Sequence, residues 1–419
     1  MRKNKSKNTK KFYNSEIPAD WEIKSLSELG EFSKGQGIRK DQIQNYGFPC
    51  ITYGEIYTTH NFVIKEFKSF IPVNLIETSK LIKKGDILFA GSGETLNDIG
   101  KAVVYMGEEE AFAGGDIIIL RTESNKFINP VFVSYMLESD FAKRQRYIYG
   151  QGISVVHIYK SELSKIKIPI PPLPEQNTIA KILGLFDKLI ELYSKLLEQK
   201  QLRKKWLISQ LLSDKKKVKN IKSNWSEVYL SSVVKIPIKE PVGNPSKFKL
   251  ISVKLHSKGL DYQDSKTILF SPKGRPYYIR YKDEILIGRQ NIQNGGIAIV
   301  NEEFNGSICS NAITSLIVNE SKFNKNFILY YLINPSFYKK VERKMNGTGQ
   351  KEISEIELLK IKIYIPESIE EQELISKVID KCEKSLILTK QILTNYGNHK
   401  MALMQQLLAG KIRIKNFIN

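Results

Sequence analysis

Basic and amide side chains gather beside glycine-bounded loops at two places in this chain. Lys143, Arg144 and Arg146 lead into Gly150-Gln151-Gly152, and Lys339, Lys340, Arg343 and Lys344 lead into Asn346-Gly347-Thr348-Gly349-Gln350. Cations at a helix end can settle on phosphate oxygens while an amide such as Gln151 or Gln350 reaches a base edge. A solvated helix end closed by a C-cap glycine would look similar, but its recurrence favours nucleic acid. Two further loops hold base-reading chemistry. One is Lys34-Gly35-Gln36-Gly37-Ile38-Arg39-Lys40-Asp41-Gln42, with Arg39, Lys40 and Gln42 as the candidates; the other runs from Arg289, Gln290 and Asn291 to Asn294. Arginine pairs two donors with guanine, and asparagine or glutamine pairs with adenine. Arg275 and Arg280 flank Pro276-Tyr277-Tyr278-Ile279, a stretch suited to stacking or to backbone contact.

Catalytic motifs are weaker. Asp86-Ile87-Leu88-Phe89-Ala90-Gly91-Ser92-Gly93 has the D-x-x-F-x-G-x-G pattern of a loop that holds S-adenosylmethionine in methyltransferases. Such a loop passes from a strand into a helix, whereas here Asn97-Asp98 and Gly100 lead into another strand. Asn334-Pro335-Ser336-Phe337 resembles a catalytic N-P-P-F tetrapeptide but lacks its second proline. There is no phosphate-gripping glycine loop, no histidine pair at metal spacing and no nuclease-like acidic cluster. The three cysteines, Cys50, Cys309 and Cys382, lie far apart, so neither a disulfide framework nor a structural metal is expected.

The charge agrees with the candidate chemistry. A net charge of +21 over 419 residues points to a polyanionic partner, nucleic acid before anionic membrane. Hydrophobic residues make up 41% of the chain, enough for two ordinary cores. No apolar run approaches the ~20 residues needed to span a bilayer. The basic arm Met1–Lys11 has no apolar stretch behind it, so no secretion signal is read and a cytoplasmic protein is expected.

The elements that must position these residues come in two copies. Glu175 and Gln210 stand 35 positions apart, as do Glu371 and Gln406, and about 196 residues separate the copies. Trp21 answers Trp225, Gly85-Asp86-Ile87-Leu88 answers Asp283-Glu284-Ile285-Leu286, and Phe132–Leu137 answers Phe327–Leu332. The repeat is too long for a solenoid unit, so each copy should be a domain followed by a helix. Short β-branched runs predict strands over Asp86–Ala90, Ala102–Tyr105, Asp116–Leu120, Glu284–Gly288, Ile297–Val300 and Ile313–Val318. One helix per domain is expected, near Val131–Tyr147 and Phe327–Met345. With no βαβ alternation, the class is α+β with a mostly antiparallel or irregular sheet.

After Pro174, apolar residues fall at Ile179, Ile182, Phe186, Leu189, Tyr193 and Leu196, are interrupted by Lys200 and Arg203, and resume at Leu207 and Leu211. The second copy runs Ile375, Val378, Cys382, weakens at Ser385 and Thr389, and returns at Ile392, Tyr396, Leu403 and Leu407. Steps of three and four are a coiled-coil seam. Each run makes a helix of about 38 residues, or about 57 Å. The stripes can be covered by each helix packing on its own domain or by the helices pairing with each other. Their matched lengths favour pairing, antiparallel across a pseudo-two-fold axis.

Ile168-Pro169-Ile170-Pro171-Pro172-Leu173-Pro174-Glu175-Gln176 before the first helix, repeated as Ile363-Tyr364-Ile365-Pro366 through Glu371-Gln372, resembles the specificity subunits of type I restriction–modification systems. The second copy departs by carrying Pro366-Glu367-Ser368-Ile369 where the first has Pro-Pro-Leu-Pro. The resemblance implies two tandem target recognition domains joined by long helices pairing as an antiparallel coiled coil. It divides the chain into a basic arm (1–14), recognition domain 1 (15–172), a central spacer helix (173–214), recognition domain 2 (215–366), a distal spacer helix (367–410) and a tail (411–419). It further implies double-stranded DNA read in two half-sites, two methyltransferase subunits that bring S-adenosylmethionine chemistry, and motor–nuclease subunits. The chain itself would be non-catalytic and would hold no cofactor. A basic scaffold without sequence preference and a self-contained methyltransferase are the rival readings.

Overall fold

The computed structural model describes residues 8–122, 127–150, 156–213, 223–263, 274–290, 292–345 and 351–414. The chain divides into two compact units, one of residues 1–193 with 392–419 and one of residues 194–391.

In the first unit a five-stranded sheet runs in the order Gly30–Lys34, Ile117–Thr122, Ile87–Ala90, Ala102–Tyr105, Phe62–Ile64. Its pairings are antiparallel except the last, which is parallel. The central Ile87–Ala90 strand is buried on both faces, which is why it reads as an unbroken apolar run rather than an alternating one. A four-stranded sheet (Ser69–Ile71, Phe48–Ile51, Ala111–Ala113, Lys80–Ile82) accompanies it. The second unit keeps a reduced version: Val234–Lys235, Ile313–Val318, Ile285–Gly288 and Ile297–Ile299, all antiparallel. Each predicted strand is present within one or two residues of its expected bounds.

The helix expected near Val131–Tyr147, and its counterpart near Phe327–Met345, is two helices in each case, and shorter helices such as Tyr53–Thr58 and Glu355–Leu359 accompany them. In the first unit the two are Pro130–Met136 and Asp140–Tyr149; in the second, Lys325–Leu332 and Pro335–Glu342. Ser139 breaks the first run by taking extended backbone and accepting from the Ala142 amide, 3.4 Å. Asn334 breaks the second by accepting from the Ser336 amide at 3.0 Å, with Pro335 supplying no donor where none is required. The Asn334-Pro335-Ser336-Phe337 tetrapeptide is therefore a helix cap.

The long helices span Leu173–Leu211 and Ile369–Leu408. Each unit contains the opening half of one and the closing half of the other, and in both units they run antiparallel. Phe186 and Tyr193 meet Tyr396 in the first unit, with centroids 6.4 and 5.4 Å apart. In the second, Lys200 donates to Ser385 Oγ and Thr389 Oγ1, each at 2.8 Å. The interruptions noticed in the two sequence stripes thus face each other.

Both arrangements expected for the stripes occur together. Ile179 and Leu183 enter the first core beside Leu407 and Leu408 from the other helix. Ile375 and Ile379 enter the second core beside Leu211 and Leu212. Full burial of one such side chain contributes about 1.5–3 kcal/mol, so each borrowed helix end is a substantial part of the core it closes.

Candidate nucleic-acid interface

The Glu-Gln phrase that opens each long helix is a joint. Glu175 accepts from the Trp21 indole at 3.2 Å, and Glu371 from Trp225 at 3.4 Å. Gln176 accepts from the Asn129 amide (2.9 Å) and donates to the Pro171 carbonyl (2.8 Å). Gln372 does the same with Asn324 (2.8 Å) and Pro366 (2.9 Å). Asn129 and Asn324 in turn cap the next helix, each accepting at 3.0 Å from Phe132 or Phe327. One sequence phrase thereby locks the long helix to both the entry strand and the domain's helices. The second helix, lacking the prolines, is started by Ser368, whose Oγ accepts from the Glu371 amide at 3.2 Å.

Asp86 of the methyltransferase-like phrase is tied down in the same structural way. Its carboxylate accepts from Arg121 Nε (2.9 Å) and Nη2 (2.6 Å), and the strand that follows pairs antiparallel with both its neighbours. The Asp86 contact raises the Arg121 pKa further. Glu284 is the counterpart; it accepts from Lys239 (2.6 Å) and Ser315 (2.5 Å). Burial outweighs that carboxylate and lowers the Lys239 pKa. The phrase places a buried carboxylate, paired with a cation, at the head of a central strand.

The candidate contact residues separate into surface and interior groups. Arg39 and Lys40 are exposed, and Gln42 is half-buried with its carbonyl oxygen taken by the Arg39 amide at 2.9 Å. Arg144 is exposed, whereas Lys143 pairs with Glu138 at 3.2 Å. In the second unit Arg275, Lys339, Lys340, Arg343 and Lys344 are exposed, with Lys340 reaching the Lys362 carbonyl at 3.4 Å. Arg289 is half-buried against Glu352 and Glu355, and Gln290 donates to Glu352 at 3.3 Å. Gln151, Asn291 and Gln350 lie outside the described residues.

Two candidates are corrected. Arg146 is 1% exposed, its guanidinium donating to the Gly100 carbonyl (2.7 Å) and to Glu138 (3.1 Å). Gly100, at φ +60°, leaves room for it: a Cβ there would lie 2.9 Å from Arg146 Cδ. Arg280 is 3% exposed and donates to Cys309 Sγ (2.8 Å) and to the carbonyls of Ser310 (3.3 Å) and Ile313 (2.8 Å). Both guanidiniums hold backbone together inside a core and are not on a contact surface.

A groove of about 510 Å³ in the first unit brings together Lys34, Ser92, Asp116, His157, Tyr159 and Lys160. Ser92 Oγ and His157 Nδ1 are hydrogen-bonded at 2.9 Å, and the exposed Tyr159 ring stacks on His157 with centroids 6.4 Å apart. The groove combines a cationic rim, an aromatic face and a hydroxyl–imidazole pair. Ser92 and His157 are 65 positions apart, so sequence spacing carried no signal for them. Among the described residues, no group of three or more His, Cys, Asp or Glu is placed to hold a metal, and no helix is long and apolar enough to cross a membrane.

Two copies of one α+β domain, each closed by helix ends from both copies and each showing a different polar surface, define a tandem-repeat recognition protein. The chain belongs to the type I restriction modification DNA specificity domain family, whose profile matches residues 18–201 and again 222–395. It is 28% identical, over 98% of both chains, to a Methanocaldococcus jannaschii protein assigned as the MjaX type I restriction enzyme specificity subunit. It is 24% identical to that organism's MjaVIII specificity subunit, over 98% of this chain and 97% of the relative. The fold matches the S subunit of a type I restriction–modification system from M. genitalium with a TM-score of 0.59 at 18% identity, covering 96% of this chain and 98% of that one.

Proposed function

We propose that this chain is the DNA-reading subunit of a type I restriction–modification complex, each domain reading one half of a split target. The supporting observation is that one scaffold occurs twice with unlike polar residues at matching places, as two different half-sites require. Residues 15–172 and 215–366 are the two readers, the spacer segments 173–214 and 367–410 that carry the long helices set the gap between half-sites, and the arm (1–14) and tail (411–419) flank them. Double-stranded DNA is the ligand. Two methyltransferase subunits supply the modification chemistry and motor–nuclease subunits the cleavage, all within the cytoplasm. The exposed Arg39, Lys40, Arg144, Arg275, Lys339, Lys340, Arg343 and Lys344 serve DNA contact.

The test is selection from randomised duplexes by the full chain with its methyltransferase subunit. Two short motifs at fixed separation are the expected result. Inserting two turns into both long helices should widen the gap by about three base pairs, since each turn adds about 5.4 Å and each base pair spans about 3.4 Å. A pool that never enriches, bound only through salt-sensitive contacts, would leave a scaffold that binds any duplex.

A further inference from the structure

The end of the central strand meets the same neighbours in both domains. In the first, the Gly91 amide donates to the Asp116 carbonyl (2.8 Å) and the Gly91 carbonyl accepts from Ile158 (3.0 Å). In the second, the Arg289 amide donates to the Ala312 carbonyl (3.3 Å) and its carbonyl accepts from Ile353 (3.5 Å). The next side chain then bridges to the incoming segment: Ser92 to His157 at 2.9 Å, Gln290 to Glu352 at 3.3 Å. The backbone is one junction; the side chains on it share no chemistry.

We propose that this junction is where each domain distinguishes one base pair from another, and that Arg289 donates to a guanine edge from a position fixed by Glu352 and Glu355. Arg289 Nε lies 3.0 Å from Glu352 Oε1, Nη1 lies 3.6 Å from Glu355 Oε1, and Nη2 donates to the Asn311 carbonyl at 3.2 Å. Glu355 is itself fixed, because Thr314 Oγ1 donates to it at 2.6 Å. The Arg289 side chain as a whole is 21% exposed. A held fork suits the paired acceptors of guanine, and a side chain already ordered loses less freedom on binding. Local charge selects the base edge over the backbone: one guanidinium beside two carboxylates is net negative and repels phosphate.

The first domain inverts this balance. Lys34 and Lys160 outnumber Asp116 around the groove, and Ser92 with His157 offers a small pair able both to donate and to accept hydrogen bonds. Gly91 cannot carry an arginine there, since even a Cβ would fall 2.8 Å from the Asp116 carbonyl oxygen. The two half-sites are thereby read with different chemistry at one shared position.

This inference rests on the split-site reading, and one experiment separates the two. The full chain with its methyltransferase subunit selects from randomised duplexes, in parallel with Arg289→Ala, Arg289→Lys, Glu352→Gln and His157→Ala. Arg289→Ala should lower guanine discrimination about ten- to hundred-fold at one position of one half-site, leaving the other half-site and the gap intact. Arg289→Lys should not restore it, because an ammonium lacks the fork. Glu352→Gln, a positioning change, should reduce preference at that same position while the melting temperature holds. His157→Ala should alter only the opposite half-site. Unchanged motifs from a folded Arg289→Ala or Arg289→Lys protein overturn the inference, as does affinity lost equally for all sequences. A wild-type chain that selects no split motif sinks the functional reading, and the inference with it.

Discussion

The two stretches of helix pairing do the same job with opposite materials. In the first unit the seam is aromatic and apolar where Tyr396 meets Phe186 and Tyr193. At the matching place in the second unit, Lys200 bonds to Ser385 and Thr389. The ion pairs beside these seams differ too. Lys400, only 7% exposed, donates to Asp187 at 2.5 Å and lies 4.0 Å from the Phe62 ring centroid. Burial, opposed by Asp187, lowers its pKa. Its counterpart, Lys204 with Glu383, is half-buried and more open to water. Apolar seams supply stability without fixing register, whereas polar contacts penalise every register but one. One half of the helix pair therefore anchors and the other aligns.

The largest test of that contrast removes the buried acid. Asp187→Ala strands Lys400 and the Tyr135 hydroxyl, which also donates to Asp187 at 2.5 Å, and should destabilise the first unit by about 3–5 kcal/mol. Glu383→Ala should cost less, about 1 kcal/mol, because its partner is already partly hydrated. Hydrogen exchange resolved by helix segment distinguishes them; equal losses would erase the difference between the halves.

Next come the tyrosines, where the halves agree. Tyr135 bonds to Asp187, and Tyr330 to Asp380 at 2.5 Å. Burial first, then the carboxylate, raises both phenol pKa values above 10. The native state thus holds protons that the unfolded chain releases above about pH 10, so this stabilisation is complete below that pH and is lost as pH rises through the folded values. Tyr330→Phe should cost about 1.5–3 kcal/mol at neutral pH and flatten the alkaline fall in a pH series of denaturation midpoints.

Lys200→Ala is expected to be milder, about 1–2 kcal/mol, since Thr389 keeps its bond to the Ser385 carbonyl at 2.7 Å. Its sharper signature is register: under the functional reading, the selected gap between half-sites should lose definition. Smallest is Ser368→Ala, about 1 kcal/mol of cap lost from the second long helix, with exchange rising only over its first turn.

Much of this fold is legible from periodicity. Strands buried on both faces read as continuous apolar runs, and both long helices were visible from steps of three and four. The interrupted seam positions, Lys200 against Ser385 and Thr389, were visible as weaknesses but not as partners, because the hydrogen bonds span 185 and 189 positions. The broken helices were foreshadowed by Ser139 and Asn334-Pro335, cap residues inside an otherwise helical pattern. Arg146 and Arg280 were misplaced for a physical reason: a charged residue reads as exterior until distant carbonyls gather around it. Gly100 is 46 positions from Arg146, and Ile313 is 33 from Arg280. The Ser92–His157 and Gln290–Glu352 bridges were hidden in the same way.

The helix ends that close each core also set the order in which the cores can close on the ribosome. The second core has all its parts once Ile379 has emerged, because Leu211 and Leu212 precede it. The first core must wait for Leu407, Leu408 and Ile414, long after Trp21, Phe132 and Leu183 have appeared. At about 5–20 residues per second, the interval between Leu183 and Leu407 is roughly ten to forty-five seconds. The domain translated first is the last able to finish folding, and for that interval its apolar face stays open to whatever else the cell presents.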